Sequence, residues 1–148
     1  MRDEKKGHLR AYSSAVRQAI VERFPELANG WKEEPDGSLT FSMKSPSGGR
    51  FWIDTRRTEF IVGFEFPHRH FGSGDADDGN PDPFEDVRAA ESFIRDLLSG
   101  KYKAVTWRRN GKYVQSMLLA ADEDPPTPQS WLGRWWTRGC MIDVRHWA

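Results

Sequence analysis

Phe60, Val62, Phe64 and Phe66 recur at every second position, and an extended chain places alternate side chains on opposite faces, so these four should share one buried face. The spacing predicts a strand that runs through this stretch to Phe71 and carries the pair His68 and His70. Upstream, Leu9, Tyr12, Val16, Ile20 and Phe24 fall at three- and four-residue intervals, which predicts an amphipathic helix from about His8 to Phe24, closed by Pro25. Ser38 to Met43 alternates polar with apolar, and Arg50 to Asp54 sends Phe51 and Ile53 inward with Trp52 outward. Three consecutive strands then form an antiparallel meander.

The second half begins with the clearest helix start in the chain. Asp82 stands at the N-cap, Pro83 at the first helical position and Glu85 at the third, and Val87, Ala90, Ile94 and Leu97 supply an apolar face that ends before Gly100. Asn110-Gly111 separates two strand-like runs, 101–109 and 112–121, and is a strong two-residue hairpin signal. A plain two-residue turn would pair Arg109 with Lys112, Trp107 with Val114 and Val105 with Ser116. Ser130 to Trp136 reads as a short helical turn and Gly139 to Trp147 as a last strand with Cys140, Ile142 and Val144 on one side. The order predicts an α+β protein: an antiparallel sheet of about five to six strands, built from the meander, the hairpin and the last strand, with two helices packed on one face. Residues 1–148 read as a single domain, with an acidic surface loop over 72–83 and a Pro-rich loop over 122–129.

Charge and composition narrow the functions. Lys plus Arg and Asp plus Glu both number 22, so no global field draws the chain to nucleic acid or to an anionic membrane. One cysteine, Cys140, excludes an internal disulfide, and no apolar run is long enough to span a bilayer; the expectation is a cytoplasmic protein. Seven Trp and nine Phe in so polar a chain must pack either in the core or against a partner.

Four constellations can carry chemistry. His68 and His70 would project the same way from one strand, about 6.5–7 Å apart, which suits a shared metal ion. Further ligands would have to come from Asp75, Asp77, Asp78 or distant His146, and exposed histidines at a strand end are the plainer reading. Taken as a calcium loop from Asp75, the acidic segment has Gly79 at position five and Asn80 at six, out of register for an EF-hand, so a solvated or partner-docking loop fits better. Lys101, Lys103, Arg108, Arg109 and Lys112, interleaved with Tyr102, Trp107 and Tyr113, resemble a single-stranded nucleic-acid surface, although Lys and Arg also guard hairpin edges. Trp131, Trp135 and Trp136, with Trp147, either close one end of the core or, with Arg134 and Arg138 beside them, form a protein-binding patch. The chain holds no Gly-x-Ser-x-Gly, P-loop or dinucleotide fingerprint, and nothing calls for a cofactor.

In layout, a short N-terminal helix, a meander ending near Phe71, an acidic loop, a capped helix and an Asn-Gly hairpin, the chain resembles the small stand-alone α+β proteins of bacteria, many of them immunity proteins. That resemblance implies a protein-binding module, such as an immunity-type inhibitor of a toxin, acting through Asp75, Asp77 and Asp78 or through Trp131, Arg134 and Trp135. The alternatives are a metal-binding protein or metal-assisted hydrolase using His68 and His70, and a nucleic-acid binder using the hairpin 101–114.

Overall fold

The meander is longer than the sequence pattern suggests. The computed structural model describes residues 2–72, 81–126 and 131–148. Helix α1 (Arg2–Arg23) leads through a 3-10 turn (Pro25–Leu27) into strands β1 (Trp31–Glu33), β2 (Leu39–Lys44), β3 (Arg50–Thr55), β4 (Glu59–Phe64) and β5 (His68–Gly72), which pair antiparallel in chain order. Two of these strands escape the periodicity argument. β1 is only three residues long among turn residues, and it is held where Trp31 Nε1 donates to the Leu27 carbonyl at 2.8 Å and the indole packs on Phe41 at 5.3 Å.

The expected single strand through Phe71 is in fact a hairpin. Gly63 pairs with His68, and the Phe64 amide donates to the Pro67 carbonyl at 3.0 Å, so the chain reverses at Glu65-Phe66. Glu65 adopts φ +57, a conformation that costs an L-residue roughly 1–2 kcal/mol. Its backbone nitrogen donates to the Arg50 carbonyl at 2.7 Å, its own carbonyl accepts from Trp52 and its carboxylate accepts from the Arg50 amide at 3.1 Å, which together hold the turn. Phe66 therefore leaves the inward face: Phe60, Val62 and Phe64 are buried and Phe66 is exposed.

Helix α2 (Pro83–Leu98) begins as its sequence predicts, with Asp82 accepting from the amides of Phe84 and Glu85. Val16, Ala19 and Ile20 of α1 and Val87, Ala90, Ile94 and Leu97 of α2 pack in one core with Phe41, Phe51, Ile53, Phe60, Val62 and Phe64 from the inner face of the sheet. Both helices thus cover the same face, and among the described residues no helix packs on the opposite face of the five strands.

The hairpin and the last strand do not extend this sheet. β6 (Tyr102–Arg109), β7 (Lys112–Ala120) and β8 (Met141–His146) form a separate three-stranded antiparallel sheet in the order β7-β6-β8, with the short helix α3 (Trp131–Thr137) before β8. Arg109 pairs with Lys112 and Arg108 with Tyr113, after which a bulge shifts the register, so that Trp107 lies opposite Gln115 and Val105 opposite Met117 rather than Val114 and Ser116. The shift sets Met117 rather than Ser116 opposite Val105, and Gln115 rather than Val114 opposite Trp107, on the face where Val105, Trp107 and Leu119 form a second apolar cluster. The other face carries Tyr102, Ala104 and Leu118 against the main core. Trp147, just past β8, completes the junction by meeting Phe51 and Phe64 at 5.9 and 5.8 Å. No helix among the described residues is long and apolar enough to cross a membrane.

Candidate functional site

Alternation along the strands determines what the helix-free face presents. Residues whose neighbours point into the core point out here: Thr40 and Ser42 on β2, Trp52 and Asp54 on β3, Ile61 and Gly63 on β4, His68 and His70 on β5. Register sets them side by side, with Ser42 opposite Trp52, Trp52 opposite Gly63, Gly63 opposite His68 and Ile61 opposite His70. Trp52 lies flat across Gly63, so closely that a Cβ added there would stand 2.3 Å from its Cε2. The indole Nε1–H donates to the Glu65 carbonyl at 2.8 Å, which fixes the ring in place. His68 leans on this platform with ring centroids 5.7 Å apart, and His70 stands 5.2 Å beyond His68. Thr40, Ser42, Arg50, Trp52, Asp54, Glu65, Phe66 and His68 line a cleft of about 470 Å³.

The two histidines of the predicted metal pair are therefore brought together. Each has one ring nitrogen engaged: His68 Nδ1 lies 3.0 Å from the Phe66 carbonyl and His70 Nδ1 lies 3.1 Å from Glu59 Oε2. Between them on β5, Arg69 points the other way and covers the Phe93 ring at 4.6 Å. His146, the other candidate ligand, lies at the end of β8 in the second sheet, and Asp75, Asp77 and Asp78 lie outside the described residues. Among the described residues no three His, Cys, Asp or Glu side chains group as metal ligands.

Asp54 gives this face a pH dependence. Burial, reinforced by the charges of Asp36 and Glu34, raises its carboxyl above the ordinary Asp range, and Arg56, 3.7 Å away, offsets only part of this. A carboxyl raised in the folded state favours folding below its unfolded pKa and loses that contribution as pH rises through the folded value, so ionised Asp54 weighs against the fold at neutral pH. Asp54→Asn is expected to raise the melting temperature at pH 7 and to shrink the stability gained on acidification toward the Asp range; a lower melting temperature at pH 7 would contradict this. On the helix side, Asp86 accepts from the Tyr12 hydroxyl at 2.7 Å, and burial raises the pKa of both groups.

A second surface lies at the C-terminal end. Of the large apolar side chains left exposed among the described residues, six fall within 132–144: Leu132 (58%), Trp135 (62%), Trp136 (54%), Met141 (79%), Ile142 (50%) and Val144 (36%). Trp135 and Arg134 of the predicted patch are exposed together on α3, while the side chain of Trp131 is outside the described set. Sequence reasoning missed Ile142 and Val144 as surface residues, because alternation along β8 shows that they share a face but not that their sheet ends at this strand, and Met141, one position from Ile142, faces the other side. Of the tryptophans considered for closing the core, Trp147 does so and Trp135 and Trp136 do not.

The basic hairpin presents fewer free cations than its sequence suggests. Lys101 Nζ donates to Asp96 at 2.6 Å, Lys103 is buried with Nζ on the Ala121 carbonyl at 3.1 Å, Arg108 covers Phe66 at 5.2 Å and Arg109 donates to the Trp136 carbonyl. Trp107 is buried, so it offers no ring for a base to stack on. Cys140 is half-buried beside Trp107 and Met117 in the second apolar cluster.

Compared with models of known protein families, with curated proteins and with solved structures, the chain shows no match.

Proposed function

We propose that the chain is a protein-binding module that engages its partner through α3 and β8. The observation that carries this reading is the concentration of exposed Trp135, Trp136, Leu132, Met141, Ile142 and Val144 on one short helix and the strand that follows it. Exposed large apolar side chains concentrated in one segment are uncommon on monomeric surfaces, and tryptophan and arginine are among the residues enriched at interface anchors. Arg134, exposed on α3 next to Trp135, supplies a polar margin. An immunity-type inhibitor is a concrete form of such a module, and the aromatic patch would then be its gripping surface.

The test is a paired measurement on Trp135→Ala/Trp136→Ala. A partner recovered by co-purification from the native host should bind the double variant roughly 30-fold or more weakly, the equivalent of about 2 kcal/mol for an interface anchor. The variant's unfolding midpoint should stay close to that of the parent. Unchanged affinity, or a large loss of stability showing that the rings close the fold, would overturn the reading.

A further inference from the structure

We propose that His68 and His70 bind a divalent first-row transition-metal ion through their two Nε2 atoms, at the edge of the helix-free sheet face. This goes beyond the protein-binding reading and uses a different surface.

The argument begins with the nitrogens that would not bind. A backbone carbonyl only accepts, so the contact between His68 Nδ1 and the Phe66 carbonyl at 3.0 Å requires the proton on Nδ1. The Glu59 carboxylate plays the same part for His70 at 3.1 Å. In each neutral ring this leaves the lone pair on Nε2. Metal-bound histidines characteristically donate their other N–H to a carboxylate or a backbone carbonyl, which fixes the tautomer and the ring orientation. Here one ring has the carbonyl and the other the carboxylate.

Ring spacing agrees. A metal at about 2.0–2.1 Å from Nε2 lies roughly 3.2 Å from that ring's centre, so two rings sharing one ion at a near-tetrahedral angle should have centres about 5 Å apart. Those of His68 and His70 are 5.2 Å apart. Among the described residues β5 is the outermost strand of its sheet, and both imidazoles are exposed. Imidazole nitrogen selects Ni²⁺, Cu²⁺ or Zn²⁺ over the oxygen-seeking Ca²⁺ and Mg²⁺. With two protein donors, water or a donor from a bound ligand fills the remaining positions, which makes the ion exchangeable rather than structural. Trp52, 5.7 Å from His68, is placed to report its arrival.

Ni²⁺ titrated into the full chain, followed by calorimetry and by tryptophan emission, should show one saturable equivalent that EDTA reverses and that Mg²⁺ and Ca²⁺ do not reproduce. His68→Ala/His70→Ala should abolish that equivalent while leaving the circular dichroism unchanged, since both rings are exposed. Glu59→Gln, which weakens the acceptor behind His70, should lower the affinity roughly 10- to 100-fold. Trp52→Phe should keep the calorimetric equivalent and lose most of the emission change. Retention of the equivalent in the double histidine variant would place the ion elsewhere and overturn the proposal, as would no binding by the parent chain.

Discussion

Phe64→Ala should destabilise the protein by about 3–5 kcal/mol, the range for removing a fully buried aromatic ring from a core that cannot collapse around the gap. Phe64 is buried on β4, packs beneath Gly49 and faces Trp147 at 5.8 Å. The ring is thus shared between the two sheets, and neither can close the space alone. Denaturant unfolding gives the number, and acrylamide quenching of tryptophan emission should rise as Trp147 loosens. Phe66→Ala, two residues on, is the control. Exposed at the turn beside Tyr113 and Arg108, it should cost less than about 1 kcal/mol, near the ordinary range for a surface change. Equal losses at the two positions would mean that the hairpin at Glu65-Phe66 is wrong.

Gly63→Val should be the most damaging change on the helix-free face, costing about 2–4 kcal/mol in spite of valine's preference for strands. Any Cβ at this position meets the indole of Trp52 within van der Waals distance, at 2.3 Å from Cε2 and 2.7 Å from Nε1. The ring must lift, and its hydrogen bond to the Glu65 carbonyl goes with it. That bond is one of the contacts holding Glu65 at φ +57, so the turn and the place of His68 should loosen together. The decisive comparison is with Gly63→Val/Trp52→Ala, in which the obstruction is gone: if the second substitution restores no stability to the valine variant, the clash is not the cause.

Much of this architecture is legible along the chain, and the exceptions share a cause. α2 announces itself through Asp82, Pro83 and Glu85, and the hairpin through Asn110-Gly111, because local chemistry alone selects those conformations. The turn at Glu65-Phe66 is silent: neither residue favours positive φ, and the hydrogen bonds that hold it come from Arg50 and Trp52, more than ten positions away. The bulge between Trp107 and Arg108 is hidden too, since the spacing from Asn110-Gly111 fixes only the first pairs of the hairpin. At the candidate sites, the spacing of His68 and His70 was visible, but the carbonyl and carboxylate that select their tautomer were not. The exposure of Trp135 depends on where the second sheet ends, a tertiary fact with no signature in α3 itself.

The first sheet joins only strands that are neighbours in the chain, so each can add to the one before it with a short loop to close. β8 has no such advantage, because more than thirty residues and α3 separate it from β6. Contacts of that separation carry the larger loop-closure cost and form late. Under mild denaturant, amide protons of β8 should exchange with solvent before those of β3 and β4, and the surface bearing Trp135 and Ile142 would come and go with them, so the gripping face and the histidine-bearing face would open on separate clocks.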